Sequence, residues 1–165
     1  MRKMVIILML IVLSVALSGC KKSSDMDGIK NLKQQEIFTQ SENKYYVFFY
    51  REGCSGCEDT KPYIKAYIKA LKTGNYEGAR PIYGVNLSDE ANYTMYVSYS
   101  KEGGQGTDGR FFVDGVTKWE DLYIGSTPSL ITVYVKDGVK TAQYAAQGKE
   151  KITTVLNDQL LTYKK

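Results

Sequence analysis

The sequence predicts an α/β domain: a central mixed sheet with flanking helices and an insertion ahead of a late strand. Three observations carry this. The run Tyr45-Tyr46-Val47-Phe48-Phe49-Tyr50 has no polar alternation and reads as a strand buried on both faces. A helical stripe over residues 57–72 and a second apolar run, Ile82 to Leu87, follow it at the spacing of a βαβ unit. Two later runs flank Asp137-Gly138, a strong hairpin signal, and a helical pattern closes the chain.

Taken in order, residues 27–39 carry Ile29, Leu32 and Phe38 as a loose stripe that predicts a first helix. Ser41-Glu42-Asn43 breaks it, and the strand over 45–50 follows. Gly53 ends that strand. In the helix over 57–72, Ile64, Ile68 and Leu71 lie at i, i+4 and i+7, with Tyr63 and Tyr67 beside them. Pro62 falls inside this helix and predicts a kink or a weakened first turn. Residues 73–80 form a loop before the strand at 82–87.

Residues 88–125 read as the insertion. Ala91 to Tyr99 is either a short helix or an extended segment, and Gly103, Gly104, Gly106 and Gly109 mark a flexible loop. Phe111-Phe112-Val113 and Val116-Thr117-Lys118 flank Asp114-Gly115 and predict a small hairpin. A longer hairpin joins Leu130–Val135 to Val139–Ala145. Gly148 opens the final helix, with Ile152, Val155, Leu156 and Leu160 on one face.

Composition narrows the chemistry. The chain has 165 residues, 43% of them hydrophobic, which suits one domain, or one domain plus a targeting segment. It contains no His, so Ser-His-Asp catalysis, Cys-His catalysis and His metal ligation are all excluded. A formal charge of +4 is too small to imply a nucleic-acid partner. Three Cys is an odd count that needs an explanation in a secreted chain.

Part of the explanation lies at the start. Arg2 and Lys3 precede Met4 to Leu17, an apolar stretch interrupted only by Ser14. It falls short of the ~20 residues a spanning helix needs and fits a signal-peptide core. It ends in Leu17-Ser18-Gly19-Cys20, which resembles the lipobox of bacterial lipoprotein signal peptides. The expectation is a signal peptide over 1–19, a lipidated Cys20, and a polar tether over 20–26 ahead of the domain at 27–165. An ordinary secretory signal or an uncleaved anchor is the alternative. Cleavage before Cys20 removes 19 of 165 residues, leaving 146, and takes Arg2 and Lys3 but no acid, so the charge falls from +4 to +2. The anchored domain would face an extracytoplasmic compartment that permits disulfides.

The other two Cys form Cys54-Ser55-Gly56-Cys57, where the first buried strand turns into the helix. A sulfur at a helix N-terminus meets free backbone N–H groups and the positive end of the macrodipole, and both favour the reactive thiolate. The second thiol can resolve a mixed disulfide. That makes Cys54 the candidate nucleophile and Cys57 the resolving thiol. Zinc needs four ligands, and with no His and only Cys20 besides the pair the ligands are missing. A purely structural disulfide remains open, although so small a ring removes little chain entropy.

On these residues the chain resembles the thioredoxin-fold family over roughly 27–165: a CxxC between strand and helix, Pro62 five residues after the second Cys, and Ser126-Thr127-Pro128 ahead of a hydrophobic strand. The Asp137-Gly138 hairpin, Gly148 and the last helix follow in the family's order. The resemblance implies that Thr127-Pro128 is a cis-proline site beside the CxxC, with the backbone of Thr127 pairing with substrate peptide. A trans proline that merely starts a strand is the alternative. The departures are specific. Phe48 stands six residues before Cys54, where the family carries a buried Asp that takes the second thiol's proton. Gly53 stands where a Trp commonly precedes the first Cys, and the middle dipeptide is Ser-Gly. Cys57 to Pro128 spans 71 residues, longer than in a minimal thioredoxin, and the excess falls at 88–125 as a lid, a partner surface or a plain solvated insertion.

The resemblance implies a membrane-anchored, extracytoplasmic thiol-disulfide oxidoreductase with no metal or organic cofactor. It would act on secreted or envelope protein thiols and exchange electrons with a redox partner protein. The chain also resembles lipidated thioredoxin-like proteins of Gram-positive type. The strand Val47-Phe48-Phe49-Tyr50 followed by Gly53-Cys54 also resembles bacteriocin transport accessory proteins. That gives the alternative of a non-catalytic accessory or binding module in peptide or protein export.

Overall fold

The computed structural model of the chain describes Met26, residues 28–92, Met95 and residues 112–165. The signal-peptide and lipidation expectations at 1–25, most of Ala91–Tyr99, the Gly103–Gly109 loop and Phe111 lie outside the described residues.

Strand β2 (Lys44–Tyr50) sits at the centre of the sheet. It runs parallel to β3 (Ile82–Asn86), which runs parallel to β1 (Lys30–Asn31). On its other side β2 pairs antiparallel with β4 (Ser129–Lys136), and β4 pairs antiparallel with β5 (Val139–Gln147). The order is β1-β3-β2-β4-β5, the mixed sheet that the apolar runs predicted. Between β2 and β3 lies α1 (Ser55–Leu71), and α2 (Lys149–Tyr163) follows β5.

The period of two in β2 divides the core. Tyr46, Phe48 and Tyr50 face both helices, packing with Cys57, Ile64 and Tyr67 of α1 and with Ile152 and Leu156 of α2. Tyr45, Val47 and Phe49 face the other way, onto Leu32, Ile37, Met95, Val113, Leu122 and Ile124. Both long helices therefore cover one face of the sheet. The opposite face is covered by irregular chain from the N-terminal segment and from the described flanks of the insertion. Those flanks are core rather than solvated loop: Met95, Val113, Leu122 and Ile124 are all buried, and the Ile124 N–H donates to the Met95 carbonyl at 2.7 Å.

Two expectations are corrected. The first helix over 27–39 is absent: the segment holds β1 and a single 3₁₀ turn at Gln34–Glu36. Gly28 takes a left-handed φ of 91°, and the backbone of Lys30, Asn31 and Leu32 is drawn onto β3, with the Leu32 N–H donating to the Gly84 carbonyl at 2.8 Å. Sheet pairing outweighs a stripe of three apolar residues. The Asp114-Gly115 hairpin is also absent. Residues 113–115 make a turn that docks on β5, where Gly115 donates to the Ala142 carbonyl and Ala142 donates to the Val116 carbonyl. Asp114 accepts from the Tyr144 N–H at 2.6 Å. Val116 donates to the Val113 carbonyl only to close this turn, and the ladder contacts run from Gly115 and Val116 to Ala142 of β5.

The Asp137-Gly138 hairpin forms as expected, with both residues at positive φ. Pro62 lies in the first half of α1, which continues through it, and Tyr63 beside it is exposed while Ile64 and Tyr67 are fully buried.

Candidate functional site

Register brings the site together. Phe49 pairs with Ser129 and Tyr50 with Asn86, so the C-terminal ends of β2 and β3 meet the start of β4. The turn after β2 and the loop before β4 consequently face each other, although 73 residues separate Cys54 from Thr127.

The turn is built by Gly53 and capped by Cys54. Gly53 has φ of 67°, a left-handed conformation that a residue with a Cβ avoids, so the turn favours Gly at this position. The Glu52 N–H donates to Ser88 Oγ at 2.9 Å and ties the turn to the chain leaving β3. Cys54 is the N-cap of α1, and its Sγ accepts from the Cys57 N–H at 3.1 Å. The helix thus begins two residues earlier than the stripe alone indicated, because the side chain of Cys54 satisfies one of its free amides.

Cys54 and Cys57 are joined in a disulfide, with their Cα atoms 5.2 Å apart. Their burial differs in the sense that matters for chemistry. Cys54 is 8% exposed and Cys57 0%, so an incoming disulfide reaches Cys54 first. Behind Cys57 the wall is apolar: Phe48 is fully buried and stacks on Tyr50, with centroids 5.7 Å apart. No carboxylate stands at that position. The Tyr50 hydroxyl donates instead to Asn31 Oδ1 at 2.9 Å, and Lys61, paired with Glu58 at 2.6 Å, sits over the Tyr50 ring at 5.6 Å.

The opposite wall is the proline loop. The Thr127-Pro128 bond is cis. The Thr127 carbonyl lies 3.7 Å from Cys54 Sγ, and a Cβ on Gly56 would stand 3.2 Å from Pro128 Cδ. Gly56 therefore lets the proline ring pack directly on the CxxC turn. The loop is held from both sides: Ser129 Oγ donates to the Ser126 carbonyl at 2.6 Å, and the Gly148 N–H donates to the Pro128 carbonyl at 2.9 Å. Arg51 adds a third tie, its Nε–H donating to Thr127 Oγ1 at 3.2 Å.

Cys54, Cys57, Thr127 and Pro128 are thus brought to one place, whereas Cys20 lies outside the described residues. Sequence reasoning gave neither Arg51 nor Ser88 a place at this site. Nothing local marks either one, because each acts on a segment far away in the chain. Among the described residues no group of three or more His, Cys, Asp or Glu is placed to hold a metal ion. Among them, too, no helix is long and apolar enough to cross a membrane.

The fold is α/β and thioredoxin-like, on the arrangement of its own parts: a five-stranded mixed sheet with flanking helices, and a cis-proline loop packed on a CxxC at the start of a helix. No protein-family profile and no curated protein matches the chain. Among solved structures it is similar to the J-Trx1 fragment of ERdj5, at 18% sequence identity and a TM-score of 0.45. The match covers 82% of this chain and 51% of that one, so the chain spans about half the length of that structure.

Proposed function

We propose that the protein is a thiol-disulfide oxidoreductase that works through Cys54, held at the extracytoplasmic face of a membrane by lipid on Cys20. The single observation that carries the chemistry is the Cys54–Cys57 disulfide at the N-terminus of α1, with Cys54 turned toward the cis-proline loop. The lipobox-like Leu17-Ser18-Gly19-Cys20 supports the anchor.

In the reducing direction, the Cys54 thiolate attacks one sulfur of a substrate disulfide. The substrate S–S bond breaks, a Cys54–substrate bond forms, and the substrate's second sulfur leaves as a thiolate. The Cys57 sulfur then attacks Cys54, releases the first substrate sulfur and closes the Cys54–Cys57 disulfide. Two electrons pass from the pair to the substrate, and the Cys57 proton ends on a departing substrate sulfur. With Phe48 behind Cys57, no fixed carboxylate takes that proton at the family's position. Oxidation is the same sequence reversed. Secreted or envelope proteins are the proposed substrates, and a partner protein resets the pair.

The proposed substrate is an extended peptide lying along Thr127. Backbone groups of the proline loop would pair with it as an added strand, and strand addition needs no side-chain complementarity to begin. The test is reduction of insulin disulfides with a small dithiol as electron source. Wild type is expected to turn over, and Cys54→Ser is expected to be inactive. Equal rates in the two would end the enzyme reading, and peptide binding without exchange would point to an accessory role in export.

A further inference from the structure

The exchange scheme makes no use of two groups at the site, the Thr127 hydroxyl and the Arg51 guanidinium. Arg51 Nε–H donates to Thr127 Oγ1 at 3.2 Å, and Thr127 Oγ1 lies 3.5 Å from Cys54 Sγ. The three groups form a line from an exposed cation, through a half-buried hydroxyl, to the reacting sulfur.

Donor and acceptor counting gives the line a direction. Arginine only donates, so Oγ1 must be the acceptor toward Arg51. A threonine hydroxyl has one proton, which is then free to point at Cys54 Sγ. The guanidinium draws density from Oγ1, which strengthens the O–H as a donor and weakens the oxygen as an acceptor. The Thr127 carbonyl, 3.7 Å from the same sulfur, works the other way: it can only accept, and so it favours a protonated S–H. One residue thus presents both a thiol-favouring and a thiolate-favouring group, and Arg51 bears on the balance between them. The Cys57 N–H, 3.1 Å from Cys54 Sγ, adds to the thiolate side.

Resting on the assignment of Cys54 as the reacting thiol, we propose that the Thr127 hydroxyl donates to the Cys54 thiolate and that Arg51 is the positioning residue that aims it. Arg51 thereby helps set how much Cys54 is ionised at neutral pH. The other charged residues on the segments that pack here are Glu52 in the same turn, Glu58, Asp59 and Lys61 at the start of α1, Asp89 beside Ser88, and Lys149 and Glu150 after Gly148. Glu58 is engaged by Lys61, and the proline loop from Ser126 to Ser129 carries no charge.

The test is the pH dependence of Cys54 alkylation in the reduced full chain, read at that residue by mass spectrometry. This readout does not depend on turnover. Thr127→Val is expected to raise the Cys54 pKa by about one pH unit, and Thr127→Ser is expected to restore it. Arg51→Gln should shift it in the same direction, and adding Arg51→Gln to Thr127→Val should shift it no further. The effect should survive about 1 M salt, where the Debye length is only ~3 Å. A wild-type titration in Thr127→Val overturns the proposal. So does an Arg51→Gln shift that is undiminished in the Thr127→Val background, since Arg51 would then act as a bare charge. Failure of the exchange function looks different: wild type that reduces no disulfide while its Cys54 pKa still follows Thr127 supports this inference and removes the enzymatic one.

Discussion

Phe48→Ala removes the wall behind Cys57. The Phe48 ring is fully buried, stacks on Tyr50, and shares one apolar cluster with Cys57, Leu130, Ile152 and Leu156. A buried Phe withdraws about 150–250 Å² from water, roughly 4–6 kcal/mol at ~25 cal/mol per Å², taken as an upper bound. Alanine keeps a small part of that burial, and partial collapse of the cavity recovers some more, so the expected loss is about 3–5 kcal/mol. At about 2–4 °C per kcal/mol for a chain of this size, Tm should fall by roughly 6–20 °C. Urea unfolding of the oxidised protein, followed by far-ultraviolet circular dichroism, reads the loss as a lower midpoint at unchanged slope. Phe48→Leu should cost under about 1.5 kcal/mol, because it keeps most of the volume. In the reduced Phe48→Ala protein, Cys57 should also become easier to alkylate. A loss in Phe48→Ala below about 0.5 kcal/mol would refute the packing argument, since ordinary surface substitutions stay within that size.

Burial, then the hydrogen bond and charge of Glu42, push the Tyr83 hydroxyl up to about 12, and burial raises Tyr45, Tyr46 and Tyr67 in the same direction. A raised folded-state pKa gives stability that is complete below the unfolded value of about 10 and is lost as pH rises through the folded value. The unfolding midpoint should therefore drop between about pH 10 and 12, and Glu42→Gln should bring the tyrosinate absorbance change of Tyr83 to lower pH. A flat alkaline stability profile would contradict this. At the other end of the chain, Cys20→Ala should abolish metabolic labelling by palmitate and release the protein from the membrane fraction. Labelling that survives the substitution would rule out the anchor.

The fold was most legible where the signal was dense. Six consecutive apolar or aromatic residues in β2, the Asp137-Gly138 turn, and the stripe from Ile152 to Leu160 each specify one element without outside help. Legibility failed where pairing, not periodicity, decides. Lys30-Asn31 is a strand only because β3 lies beside it, and the turn around Asp114 is shaped by β5. The sheet's second face was equally hidden, since nothing local says that Met95, Val113, Leu122 and Ile124 stand where a helix would otherwise pack.

The site divides in the same way. Cys54 and Cys57 announce themselves by spacing, whereas Thr127-Pro128 was legible only through the resemblance to thioredoxin-fold proteins. The contact between Arg51 and Thr127, across 76 residues, exists only once β2 and β4 are in register. Gly53 was legible as the end of a strand and Gly56 only as part of the dipeptide between the Cys. Their reasons, a left-handed turn and a proline ring 3.2 Å from an added Cβ, are three-dimensional.

Exchange through Cys54 is tested most directly by trapping. Reduced Cys57→Ser, mixed with a disulfide-containing protein and quenched with acid, should accumulate a covalent adduct that maps to Cys54 and is released by a dithiol. Wild type should pass through it without accumulation, and Cys54→Ser should form none. No adduct on Cys57→Ser, or an equal adduct on Cys54→Ser, would contradict the assignment of Cys54 as the attacking sulfur.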